Sequence, residues 1–277
     1  MSAELKRALE CEDLDRLLAY WRRGGAARRR LVAALAADGA LRWAERLSQG
    51  GEPARRLAAA VVGQGCQEVE QGARLLQGLV ADPDRRVREL AVRAAGDLLI
   101  NRFSDMFPQL GAWRGAADPL VRRAVPLAAA VGTEPGHLNW GAPLLELIEP
   151  LLADRAPQVR AVLGPAVLAG PFLATYPDDT FEYLAHWSTS HDEQVLWHVA
   201  HSLSGPPAAK LVRKSLILLR RLALDGRGTV QEGVVAALRG LGSLAPDPVG
   251  EELRRWLGEE ERAPVARAAL QAMDTRG

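Results

Sequence analysis

The sequence predicts an all-α fold, a right-handed α-α superhelix (solenoid) of about seven helix pairs. Two observations predict it. Ala and Leu supply most of an apolar content of 48%, and aromatic residues only 5%. Ala and Leu are strong helix formers, whereas strands favour β-branched and aromatic side chains. The second observation is a recurring pattern: a turn with Asp or Pro, then Val, often Arg, then a run of Ala, Val and Leu.

The pattern opens seven times, at Ala54, Val87, Val121, Val159, Val195, Val230 and Val265, with spacings of 33, 34, 38, 36, 35 and 35. A period near 35 holds two helices of about a dozen residues and two turns. Asp or Pro at the turn starts a helix, because Asp caps free N–H groups and Pro fits the first turn. Val87, Leu90, Ala91 and Ala94 then fall on one stripe. The preceding helix carries its own stripe, Ala73, Leu76, Leu79 and Val80. A single pair cannot bury both faces, so pairs stack. Residues 1–49 read as a degenerate first repeat or cap, with Leu14, Leu17, Leu18 and Trp21 on one stripe. One domain over 1–277 is expected. The widest spacing holds the segment 132–143, rich in Gly and Pro and containing Trp140, which reads as the longest loop and a candidate binding insertion. Trp113 and Trp140, in or near turns, are expected to plug gaps between repeats.

The turn Asp82-Pro83-Asp84-Arg85-Arg86-Val87-Arg88 and its Ala-rich helix, with the copies after it, resemble the HEAT-repeat (armadillo-like) superfamily. The likeness covers residues 50 to 277. It implies fold rather than function, since HEAT arrays serve many roles.

Charge, cysteines and hydropathy exclude several classes. The formal net charge is +1, which selects no partner. Only Lys6, Lys210 and Lys214 are lysines among 35 basic residues. Cys11 and Cys66 are far apart and show no ligand spacing. The charged start of the chain has no apolar leader segment, and no stretch has the ~18 uncharged apolar residues of a membrane span. A cytoplasmic monomer without cofactor or metal is expected, and without a membrane partner.

Arg55, Arg88, Arg122 and Arg160 share one repeat position, directly after the anchor. The HEAT resemblance implies that such arginines pair with a turn aspartate, here Asp82, Asp118 or Asp154. Arg85, Arg86 and Arg123 lie beside them and are not needed for such a ladder. They are the better candidates for a basic stripe on the second-helix face, which in this superfamily is usually concave. Such a stripe suits nucleic-acid phosphates or an acidic protein surface.

Between 163 and 205 the basic residues thin out, while two of three tyrosines, two of seven tryptophans and four of five histidines gather. This stretch resembles the HEAT-like alkylpurine DNA glycosylases, the AlkC and AlkD group. The likeness rests on Pro171-Phe172-Leu173, the helix ending at Trp187, the turn Ser188 to Glu193 and the helix start at Val195. It implies a basic concave face that grips DNA, with Trp187 and Asp192 beside a cationic alkylated base. Where the AlkC-like pattern carries charged residues, this chain has Ala166, Gly170, Leu196 and Trp197, so binding outranks catalysis. Trp197, His198 and His201 join the candidate binding residues. His198 and His201 stand three apart on one helix, but no thiolate accompanies them and Asp192 and Glu193 lie in a capping turn. No metal site is expected. No nucleophile elbow or phosphate-binding glycine loop is present.

The expected function is a HEAT-repeat scaffold that binds a macromolecular partner, a protein, on its concave face. The alternative is a duplex-DNA-binding protein of the alkylation-repair type; as an enzyme it would be a glycosylase-like hydrolase acting on alkylated purines.

Overall fold

The computed structural model describes residues 3–274, and every regular element among them is helical. The chain divides into two compact units, Met1–Gly132 and Thr133–Gly277.

The first unit opens with α1 (Ala3–Glu10), α2 (Leu14–Arg22) and α3 (Gly25–Ala37). Three pairs follow: α4 (Ala40–Ser48) with α5 (Glu52–Gly65), α6 (Val69–Leu79) with α7 (Arg85–Asn101), and α8 (Phe103–Arg114) with α9 (Pro119–Val131). Second helices stack on second helices, α3 on α5 on α7 on α9. First helices stack likewise, α4 on α6 on α8. The result is two layers with the core between them.

The second unit holds α10 (Gly141–Ile148), α11 (Pro157–Val162), a π-helical stretch (Leu163–Phe172), α12 (Leu173–Thr175) and α13 (Pro177–Trp187). It continues with α14 (Glu193–Ser202), α15 (Pro206–Lys210), α16 (Val212–Leu222), α17 (Gly228–Leu244), α18 (Pro246–Leu257) and α19 (Ala263–Asp274). The same two rows recur: the π-helical stretch, α14, α17 and α19 on one side, and α10, α13, α16 and α18 on the other.

The recurring pattern acts as the sequence predicts. All seven anchors, from Ala54 to Val265, are buried. The turn aspartates start helices by accepting backbone N–H groups: Asp84 from Arg86, Asp118 from Leu120, and Asp192 from Gln194 and Val195. Small residues set the spacing of the second helices. A Cβ on Gly63 of α5 would lie 2.7 Å from the Cα of Ala94 on α7, so only glycine admits this approach.

The π-helical stretch follows from its prolines. Pro165 lacks an N–H and would clash with a carbonyl one α-turn back, and a wider turn relieves that clash. The Gly164 N–H leaves the helical ladder and donates to His198 Nδ1 at 3.2 Å. Gly164 also lies against α14, where a Cβ would sit 3.0 Å from the His198 carbonyl oxygen. Trp113 and Trp140 pack inward, at 2% and 8% exposure. In segment 132–143 the His137 ring stacks on Trp140 at 4.1 Å.

Candidate functional site on the second-helix face

The arginines after the anchors are turn clamps. Arg88 Nη1 donates to the carbonyls of Asp82 and Pro83 at 2.7 and 2.9 Å. Arg122 repeats this on Ala116 and Ala117, both at 2.9 Å. Arg55 donates to the Gly50 carbonyl at 2.9 Å and also pairs with Asp82, a rung between consecutive repeats. Gln231, at the same repeat position in the second unit, donates to the Asp225 carbonyl at 3.0 Å. Arg160 instead reaches across to the Gln194 side-chain oxygen at 3.2 Å. These residues hold the loops that the repeat needs, since the last carbonyls of a helix and its turn otherwise lack donors.

The neighbouring arginines differ. Arg85 is exposed and pairs with Glu89 at 2.6 Å, one turn along α7. Arg86 is exposed, and Arg93 and Arg29 are exposed as well. Arg123 is half-buried on α9, and its guanidinium is held below its ordinary value by burial and then by the charges of Arg88 and Arg85. Among the described residues no carboxylate lies within 4.0 Å of the guanidinium nitrogens of Arg29, Arg86, Arg93 or Arg123.

The opposite row is paired. Arg42 and Arg46 of α4 both bond Glu12, and Arg42 also bonds Asp38. Arg74 of α6 pairs with Glu70, and Arg102 at the start of α8 pairs with Asp105.

The aromatic segment is mostly core. Trp187, expected to face a ligand, is 3% exposed, packed edge-on against Tyr183 at 5.5 Å. Its indole N–H is buried without a partner. Asp192, expected beside it as the acid, spends its carboxylate on the first turn of α14, at 2.8 Å from the Gln194 nitrogen. Trp187 is thus largely covered by its neighbours, whereas Asp192 is exposed and caps α14 through Oδ1 alone. For Trp187 the reason is compositional: aromatic side chains signal volume as readily as exposure, and here they fill the interior.

His198 is fully buried. Burial, reinforced by the charges of His201 and Arg160, brings it down to about 3, and Asp192 opposes them. Its Nδ1 accepts from Gly164, which puts the neutral ring's proton on Nε2; the Gln194 amide nitrogen lies 3.1 Å from Nε2, a contact between two donors and not a hydrogen bond. Arg160, Gln194 and His198 thus form a polar line between α11 and α14. His201 is half-buried and also lowered by burial. Trp197 is half-buried with its ring 4.0 Å from that of His201. Trp197 occupies the repeat position of Arg56, Glu89 and Arg123, two after the anchor. His201, one helical turn further along α14, is half-buried beside it.

The sequence reading missed a groove in the first unit. A cavity of about 430 Å³ lies across α3, α5 and α7, with Trp21 at one end. Arg28, Arg29 and Arg93 line it. Asp97 lines it too, its carboxyl raised by burial against the pull of Arg93. The available signal was the run Arg28-Arg29-Arg30 in the segment read as a cap. Among the described residues no group of three His, Cys, Asp or Glu side chains is arranged to hold a metal ion. No described helix is long and apolar enough to cross a membrane.

No protein-family model matches this chain, and no curated protein does. Solved structures do. The karyopherin Kap121p, bound to the extreme C-terminus of the protein phosphatase Cdc14p, is 15% identical with a TM-score of 0.51, over 95% of this chain and 33% of that one. A mutant of the same karyopherin gives 15% identity and a TM-score of 0.51, over 99% and 34%. YibA of E. coli is 18% identical with a TM-score of 0.40, over 99% and 97%. This chain therefore spans about a third of the karyopherin's length. With the turn clamps, the buried anchors and the two rows of helices already in place, the likeness to the karyopherin shows the fold, an all-α array of HEAT-like helix pairs.

Proposed function

We propose that this chain is a HEAT-repeat binding protein that holds a protein partner on the face formed by its second helices. One observation carries the reading: four arginines without a carboxylate partner gather on the second-helix row of the first unit. On the first-helix row Arg42, Arg46, Arg74 and Arg102 each meet a carboxylate; on the second-helix row Arg55, Arg56 and Arg85 do so too, but Arg29, Arg86, Arg93 and Arg123 have none within 4.0 Å among the described residues. Unpaired guanidinium groups on one face supply steering and hydrogen-bond donors for an acidic partner surface. The test is retention from cell extract on immobilised chain. Wild type is expected to retain a protein that the Arg86→Glu, Arg123→Glu variant loses. Equal retention by the two would overturn the reading.

A second reading, binding of duplex DNA in the manner of the alkylpurine glycosylases, draws on Arg123, crowded by Arg85 and Arg88. Like charges brought together suit a phosphate backbone. It predicts binding of a fluorescent duplex at about 50 mM salt that weakens steeply as salt rises. It further predicts release of alkylated purines if catalysis persists. A duplex that does not bind at low salt removes it.

A further inference from the structure

We propose that the groove across α3, α5 and α7 takes an acidic segment of a protein partner, one in which an apolar side chain lies beside one or two carboxylates. The inference rests on the binding role proposed for the second-helix face and names the site and chemistry within it.

The basic side of the groove is built rather than incidental. Arg28 Nε donates to the Trp21 carbonyl at 2.9 Å, and its guanidinium carbon lies 4.6 Å from the centre of the Trp21 ring. The stacked, tethered guanidinium keeps its terminal nitrogens for another acceptor. A pre-oriented Arg fork of this kind suits a carboxylate, because little side-chain freedom remains to be lost on binding. Arg29 and Arg93 add two guanidinium groups with no carboxylate within 4.0 Å. The one acid lining the groove, Asp97, is half-buried, and burial raises its carboxyl against the pull of Arg93.

The floor selects among anions. Val32, Leu90 and Ile100 line the same cavity, with Ala60 and Ala94 between them. A nucleic-acid backbone offers nothing apolar to such a floor. A peptide segment with a Leu, Ile or Phe next to Asp or Glu meets both surfaces at once. The volume, about 430 Å³, admits a few side chains and not a duplex, and it falls in the range of about 300–1,000 Å³ of small-ligand pockets.

A phage-displayed library of random dodecapeptides, selected on the full chain, tests this. Selected peptides are then synthesised with a fluorophore and titrated. Enrichment of Asp or Glu flanking an apolar residue is expected. Arg29→Glu with Arg93→Glu should weaken binding by about tenfold or more, the scale of one or two lost charge-assisted contacts. Ala60→Phe, which fills the floor without changing charge, should do the same. Arg213→Glu with Arg254→Glu, the same charge change at exposed sites on α16 and α18, should leave binding unchanged. The proposal is overturned if no acidic-apolar peptides are enriched, if the Arg29 and Arg93 reversal is silent, or if an unlabelled DNA oligonucleotide displaces the peptides more effectively than they displace one another. Loss on Arg86→Glu with Arg123→Glu alone would move the site out of the groove while keeping the second-helix face. Insensitivity to both pairs would remove the face as well.

Discussion

Arg55 grips Asp82 with two hydrogen bonds, from Nε at 2.6 Å and Nη2 at 3.1 Å, and so ties α5 to the turn that begins the next second helix. Asp82 also accepts from the Asp84 N–H at 2.8 Å. Its side chain is 6% exposed. Burial alone would raise this carboxyl, but the Arg55 hydrogen bonds and the Asp84 N–H outweigh burial and hold it below its ordinary value of 3.8. Asp82→Ala is expected to lower stability by about 2–3 kcal/mol, the scale of hydrogen bonds to a charged group. Because the folded carboxyl is depressed, its contribution is complete above pH 3.8 and is lost as the pH falls further. Urea titrations of wild type and Asp82→Asn should converge in acid; a constant gap through that range would contradict this account.

His198 gives the opposite kind of residue the same direction of pH response. Its folded value of about 3 lies below the ordinary 6.5. The unfolded chain therefore binds one more proton between those limits, and stability falls as the pH drops from 6.5 toward 3. The slope from this residue is about 1.4 kcal/mol per pH unit. His198→Asn places an amide oxygen where Nδ1 accepts from the Gly164 N–H and cannot titrate. Its stability curve from pH 6.5 down to 4.5 should be flatter than wild type by that slope, and parallel curves would show that His198 is not buried neutral.

Gly63 is a steric requirement, not a flexible joint. The Cβ of Gly63→Ala would meet backbone atoms of Ala94, which cannot rotate away. The expected loss is about 1–3 kcal/mol, as for other overpacked cores. Gly78→Ala, on α6 with nothing within 4 Å of its Cβ, should be neutral or stabilising by up to about 1 kcal/mol. Thermal melts that shift equally for the two variants would contradict the packing account.

Trp187 should behave as core. Trp187→Ala is expected to lose about 3–5 kcal/mol. Trp187→Phe removes an indole N–H that is buried without a partner and should fold and bind selected peptides as wild type does. A folded Trp187→Phe variant that loses ligand binding would return this residue to a site. Asp192→Ala should lose about 1 kcal/mol, the ordinary worth of an N-cap.

The repeats were legible because one side chain per repeat, from Ala54 to Val265, must be buried at a fixed helical phase, and periodicity records that directly. The role of Arg88 and Arg122 was legible only in part. The sequence pointed to turn aspartates as partners, and Arg55 with Asp82 fits that, while Arg88 and Arg122 also hold the carbonyls of their own turns. Backbone acceptors leave no trace in a sequence. The π-helical stretch was hidden for a similar reason, since Pro165 fixes a missing N–H but not how the chain accommodates it. The groove was illegible because Arg28 and Arg93 are brought together by stacking of helices far apart in the chain. The aromatic segment drew attention through its rarity, yet Trp187 and His198 proved to be interior.

The most direct measurement is site-specific photo-crosslinking in living cells. p-Benzoylphenylalanine is placed at Arg93 on the second-helix row, or at Arg74 on the first-helix row, of otherwise unaltered chains. One crosslinked protein species is expected from position 93 and none from position 74. Crosslinks from position 74 alone, or the same species from both, would contradict a binding role for the second-helix face.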